Sequence, residues 1–168
     1  MTELLGYPPF PAEDDAVLSL VCIRNDAGDV LMGRKTRGFG AGRLVLPGGK
    51  GRYWAGSSGI LRSPFIYDAA REVHEETGIA LDATALTQVG QLHVERHDSE
   101  MDVLQIFAGS SNDMPHDSEE LEDVAFMAEV PYAEMPADYK LWLPHILGGR
   151  AVTAYVWLNS STDVFVSR

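Results

Sequence analysis

At 168 residues the chain has the length of one domain with a sizeable core, and a 1–168 single domain is expected. Its 45% hydrophobic and 23% charged content is ordinary for a soluble globular protein, no segment approaches the ~18 apolar residues of a membrane span, and no basic then apolar leader opens it, so a full-length cytoplasmic product without membrane contact is expected. A net charge of −12 argues against binding duplex nucleic acid, where affinity comes from Lys and Arg neutralising phosphates.

Residues 1–15 hold three prolines and four acids without a period, and read as an extended N-terminal arm or cap. Residues 16–23 are nearly continuously apolar and of strand length, which suits a central strand buried on both faces. Cys22, the one cysteine, falls inside that run, where a buried, inert thiol is its expected role. Asn25-Asp26-Ala27-Gly28 is a turn signal from which residues 30–33 return as a second strand. Residues 36–42 place three glycines around Phe39 and must be a loop. Glycine lets a backbone come close to a ligand, so this is either a hairpin tip or a binding loop. Five of the 13 basic residues, Arg34, Lys35, Arg37, Arg43 and Lys50, fall in this part of the chain and form a basic patch. Residues 51–62 carry Tyr53, Trp54 and several Gly and Ser; Trp54 either packs back on the domain or covers a site entrance.

The next stretch concentrates the chemistry. Ser63 is a suitable N-cap, Pro64 suits the first helical position, and Gly78 suits the left-handed position after the last turn. The intervening helix carries Ile66, Ala69, Ala70 and Val73 on one stripe, with Glu72 and Glu76 at its border. Glu72, Glu75 and Glu76 are helical neighbours, with Asp68 one turn earlier and Arg71 beside them. Repulsion at that spacing costs about 0.2–0.5 kcal/mol per pair. A solvated acidic face is one reading; the other is a site for a hard divalent cation such as Mg²⁺, which takes oxygen ligands and shares them with substrate phosphates.

Residues 86–95 and 101–108 alternate as antiparallel strands joined by the polar turn Arg96-His97-Asp98-Ser99. Glu100 stands near the start of the second. Residues 110–122 are polar and acidic, hence a loop; residues 124–130 are a strand candidate broken by Pro131-Tyr132. Residues 136–147 read as a helix despite Pro144, with Tyr139, Trp142 and Ile146 near one face. Residues 151–158 and 164–166 make a terminal hairpin, whose exposed edge leaves monomer and homodimer both open. His74 is assigned no chemistry, and His93, His97, His116 and His145 lack the spacing of zinc ligands.

Leu46-Pro47-Gly48-Gly49-Lys50 followed by Arg71-Glu72-Val73-His74-Glu75-Glu76-Thr77-Gly78-Ile79 resembles the Nudix box of the Nudix hydrolases. The second half matches that pattern at every fixed position. The first half does not: Gly49 lies 22 residues before Arg71 where the pattern has 14, which makes residues 51–62 an insertion within the box, and the pattern's first acidic position has no Glu. Leu31-Met32-Gly33-Arg34-Lys35, Arg37-Gly38-Phe39-Gly40-Ala41-Gly42-Arg43 and Trp142-Leu143-Pro144 are similar to blocks of the MutT-related enzymes that remove oxidised purine nucleoside triphosphates.

The resemblance implies an α/β (α+β) Nudix fold, a mixed β-sheet sandwiched between α-helices. It also implies metal-assisted hydrolysis of a nucleoside triphosphate of the 8-oxo-dGTP type to monophosphate and pyrophosphate. Mg²⁺, or Mn²⁺, would be held by Glu72, Glu75 and Glu76 with the Gly49 carbonyl. Arg71 would orient a neighbouring Glu, and Glu100 is the expected additional carboxylate beside Glu75 and Glu76. Lys35, Phe39, Lys50, Asp138 and Trp142 would meet the nucleotide. Where that subgroup reads the purine edge with an Asn this chain has Val45, and where it has adjacent aspartates Asp138 stands alone between Ala137 and Tyr139. Two other readings therefore stay open: hydrolysis of a different pyrophosphate, such as ADP-ribose, a nucleotide sugar or a dinucleoside polyphosphate, and a non-catalytic nucleotide sensor, against which the intact Glu72, Glu75 and Glu76 speak.

Overall fold

The computed structural model describes residues 16–38, 40–50, 65–95, 101–157 and 161–167. The expectations for the arm at 1–15, for Phe39, for the insertion with Trp54, for Ser63 and Pro64, and for Glu100 with the turn before it lie outside the described residues.

The apolar run at the start becomes β1 (Ala16–Arg24), and it lies inside the sheet as its two-sided hydrophobicity requires. Along one edge β1 runs parallel to β6 (Met101–Ser110), from Ala16 opposite Asp102 to Arg24 opposite Ser110. Its other edge is shared. β4 (Gly48–Lys50) pairs antiparallel with Leu18 to Leu20, and β2 (Val30–Lys35) meets it at Arg24, after a turn in which Gly28 takes φ +86°. β2 in turn pairs with β3 (Leu44–Val45) and β7 (Leu121–Met127). On the far side β6 pairs antiparallel with β5 (Thr87–Glu95), β5 parallel with β8 (Ala151–Trp157), and β8 antiparallel with β9 (Ser161–Ser167). The sheet is mixed, as expected.

Alternate residues of these strands feed two separate cores. Val21, Ile23, Leu31 and Phe107 point to the face covered by α1 (Phe65–Thr77), where Ala69, Ala70 and Val73 pack on them. Cys22, Met32, Ile106 and Leu92 point to the opposite face, covered by α2 (Tyr139–Leu147) through Trp142, Leu143 and Ile146. The buried stripe of α1 is the one its periodicity predicts. The helix ends on Gly78 at φ +75°, whose N–H donates to the His74 carbonyl at 2.8 Å.

Several elements differ from expectation, among them β9, which begins at Ser161 rather than at 164. The strand foreseen at 124–130 is β7, beginning three residues earlier. Glu122 and Asp123 hide it by interrupting the apolar pattern: both face solvent, Asp123 sits at φ +53°, and the pairing with β2 shifts register there. The helix foreseen from 136 begins at Tyr139, with Asp138 as its N-cap residue. The short strands β3 and β4 flank Leu46-Pro47, where two and three residues are too few for any period to register.

Candidate active site

The site is assembled where β4 crosses the face of α1. Gly48 has to be glycine for steric reasons, and Gly49 comes close to a side chain of the helix. A Cβ on Gly48 would run into the Ser19 carbonyl of the adjacent strand, and one on Gly49 would run into the Glu72 carboxylate. The chain thus brings the Gly48 amide to Glu76, donating to Oε2 at 2.9 Å. Ser19 Oγ donates to the Gly49 carbonyl at 3.3 Å, within the antiparallel pairing of β1 with β4.

Arg71 gathers the other acids of α1. Its Nη2 lies 2.7 Å from Glu72 Oε1 and 3.6 Å from Asp68 Oδ1, and its Nη1 lies 2.9 Å from Glu75 Oε2. The two ends of the cluster differ in exposure. The Glu75 side chain is mostly in solvent, whereas Glu76 is 7% exposed. Burial pushes the Glu76 carboxyl up to about 8, against the pull of the Gly48 amide, and the negative charges of Glu72 and Glu120 add to the rise. Burial also raises Glu72; Arg71 counteracts this, while Glu75 and Glu120 reinforce it.

Glu120 is the residue the sequence reading missed. It ends the acidic loop before β7, and its charge bears on both Glu72 and Glu76. Thr36 fixes that loop end, donating from N to the Glu120 carbonyl at 3.0 Å and from Oγ1 to the Glu119 carbonyl at 2.6 Å. The available signal was the acid directly preceding the first buried residue of a strand, Leu121, opposite Lys35. Lys35 itself ends β2 close enough for its charge to pull against the rise at Glu76. Lys50 ends β4 on the exposed surface.

On the other face of the sheet, Asp138 accepts from Trp142 Nε1 at 2.8 Å, and burial holds its carboxyl above the usual aspartate range against that hydrogen bond. Trp142 is wholly buried, which corrects its expected place against a substrate: its ring fills the core and its N–H is spent on Asp138. Tyr139 is buried beside it, with ring centroids 4.6 Å apart, and its hydroxyl meets the Leu46 backbone; burial raises its pKa far above the tyrosine range.

A divalent cation can be tested against this donor set. Among the described residues no three acidic, imidazole or thiolate groups form a ready-made cage. Mg²⁺ does not require one, since it is usually held by one or two carboxylates together with waters and substrate phosphates. Glu72 and Glu76, half-buried and buried, destabilised as anions and flanked by the charge of Glu120 and the backbone of Gly49, are a donor set that a hard cation fits.

No protein-family model matches the sequence. Among curated proteins the chain is 35% identical over 122 residues to the oxidized purine nucleoside triphosphate hydrolase of Mus musculus, covering 70% of this chain and 71% of that one. The chain belongs to the Nudix hydrolases. The enzyme of the same description from Danio rerio is 31% identical over 133 residues, 76% of this chain and 78% of its own. Among solved structures, a MutT protein from Bacillus halodurans matches with a TM-score of 0.65 at 18% identity, over 90% of this chain and 97% of that one. The MutT protein of Methanosarcina mazei Go1 matches at 0.61 and 21%, over 80% and 95%. As a Nudix hydrolase the protein acts on phosphoric anhydride bonds, and its box helix is α1.

Proposed function

We propose that the protein hydrolyses an oxidised purine nucleoside triphosphate of the 8-oxo-dGTP type to the monophosphate and pyrophosphate, with Mg²⁺ or Mn²⁺ as cofactor. The observation that carries the reading is the buried Glu76 carboxyl held by the Gly48 amide beside Glu72 and the Gly49 backbone. Glu72, Glu76 and Glu120, with the Gly49 carbonyl, would hold the cation, and Glu75 joins them through Arg71. Bound there, a divalent cation neutralises phosphate oxygens and makes an attacking water more acidic. Arg71 keeps Glu72 and Glu75 in register by charge-assisted hydrogen bonds. Lys35 meets the phosphates, and a carboxylate takes the proton from water, for which Glu75 of the cluster and Glu100 are the candidates.

Asp138 is the polar group offered to the base. Its carboxyl group can accept from a purine N–H, and the hydrogen bond from Trp142 fixes its rotamer. The relatives of known description act on oxidised purine nucleoside triphosphates, which favours that substrate. Val45 and Tyr139 weigh the other way. With an apolar side chain and an inward-turned phenol where the resemblance expects polar readers, discrimination between bases is weaker, because unpaired polar groups are what reject a wrong ligand. This observation favours, as the second reading, a broader range of nucleoside diphosphate derivatives.

The test is pyrophosphate and phosphate release with Mg²⁺ from a panel of 8-oxo-dGTP, unmodified triphosphates, ADP-ribose, a nucleotide sugar and a dinucleoside polyphosphate. The expected result is pyrophosphate from the oxidised purine with the highest kcat/KM, reduced about 10³-fold or more in Glu76→Gln. Preference for another member of the panel supports the second reading, and no release from any of them overturns both.

A further inference from the structure

The basic run between Arg34 and Arg43 is largely engaged within the protein, and its members are engaged differently. Arg34 donates to the Gly42 carbonyl at 2.9 Å and pairs with Glu134, and Arg43 donates to the Ala133 carbonyl, so both pin the glycine loop to the segment after β7. Arg37 instead donates from Nη2 to Glu120 Oε1 at 2.9 Å, an acid whose charge reaches Glu72 and Glu76. Its side chain is 66% exposed and that of Glu120 49%, so the pair is weak and easily exchanged. The backbone beneath does not depend on it. Thr36 holds the carbonyls of Glu119 and Glu120, and Ser118 Oγ accepts from the amides of Glu120 at 3.3 Å and Leu121 at 3.1 Å. The Glu120 carboxylate can therefore leave Arg37 while its main chain stays where it is.

We propose that Arg37 is a partner-switching positioning residue: it holds Glu120 while the carboxylate cluster lacks a cation, and turns to the polyphosphate of the substrate once Glu120 engages the cation. Arg37 is two residues beyond Lys35, the last residue of β2, and its guanidinium presents the forked donors that suit phosphate oxygens. The switch removes a cation from an acid when that acid is needed and delivers it where negative charge arrives. The inference rests on the cation and phosphate parts of the function proposed above and not on the identity of the base.

Calorimetric titration of the full chain with Mn²⁺ alone, then with inorganic tripolyphosphate at saturating Mn²⁺, tests it in wild type, Arg37→Ala, Glu120→Gln and the double variant. Arg37→Ala should bind Mn²⁺ about three-fold more tightly, the scale of an exposed ion pair, and tripolyphosphate about ten-fold more weakly. In the Glu120→Gln background the gain in Mn²⁺ affinity should vanish, since the masked carboxylate is gone, while the tripolyphosphate loss persists. Unchanged or weaker Mn²⁺ binding in Arg37→Ala overturns the proposal, as does a gain that survives in the double variant, which is a long-range charge effect, or an unaltered tripolyphosphate affinity. No nucleotide enters these measurements. If the stated pattern appears but no oxidised purine triphosphate is hydrolysed, the substrate reading fails and this inference stands.

Discussion

Glu76 is nine-tenths removed from water among groups that are mostly negative, and this sets a pH signature for the metal-free protein. Its carboxyl is pushed up to about 8 in the folded chain against an ordinary 4.5. Between those values the folded state holds a proton that the unfolded state has lost, so stability falls as pH rises from the lower value through the upper and levels off beyond it. The melting temperature of the metal-free protein, relative to that of Glu76→Gln, is therefore expected to decline between about pH 5 and pH 8.5. A difference that stays constant or grows over that interval would show that Glu76 is not held as described. Asp138 gives a second residue-scale prediction. Trp142→Phe leaves its buried carboxyl without the indole donor, at a cost of about 1–3 kcal/mol. Denaturant unfolding checks the stability, and steady-state kinetics should register the change in KM for the nucleotide more than in kcat. The residues legible in the sequence were those whose neighbours are set by helical geometry, Arg71, Glu72, Glu75 and Glu76. Glu120 was illegible because it lies in a run of acids and joins the cluster through a fold contact, and Trp142 misled because a stripe of aromatics looks alike whether it faces a core or a ligand.

At the scale of elements, the site is the contact between β4 and α1, and two adjacent glycines separate its structural requirement from its chemical one. Gly48→Ala drives a methyl into the Ser19 main chain, which cannot move aside without breaking the β1 to β4 pairing. It should destabilise folding by about 1–3 kcal/mol or more, read as a lower denaturation midpoint. Gly49→Ala meets only the movable end of Glu72. It should leave the midpoint within about 1 kcal/mol and lower activity at limiting Mg²⁺, with partial recovery at high Mg²⁺. Equal losses of stability in the two variants would contradict the assigned geometry. The extent of α1 and its glycine stop were legible because period and cap agree. The start of β7 was not, since the strand begins through two exposed acids and a residue at positive φ, where alternation fails. β3 and β4 are defined by their partners in the sheet rather than by their own composition.

For the whole molecule, a net charge of −12 and a nucleotide ligand are reconciled by local sign reversal. Arg34, Arg37 and Arg43 of the expected basic patch are engaged in loop ties and an ion pair, so the patch alone is a weaker attractor than the sequence implied. On the proposed function, the larger share of the reversal would fall to the cation. That β1 is covered on both faces was foreseeable from its apolar run, because a strand buried on both faces requires a layer on each, whereas the mixed sheet between helices was expected only from the resemblance to the Nudix hydrolases. The central claim is that the acids of α1 and the loop before β7 are strained together until a divalent cation joins them. Its most direct measurement is the thermal midpoint across a Mg²⁺ titration at pH 8, in wild type and in Glu72→Gln/Glu76→Gln. The account predicts a saturable rise of about 5 °C or more in wild type, the linkage expected of a ligand bound well above its Kd, and none in the double variant. A wild-type midpoint that does not respond to Mg²⁺, or one that rises equally in the double variant, would contradict it.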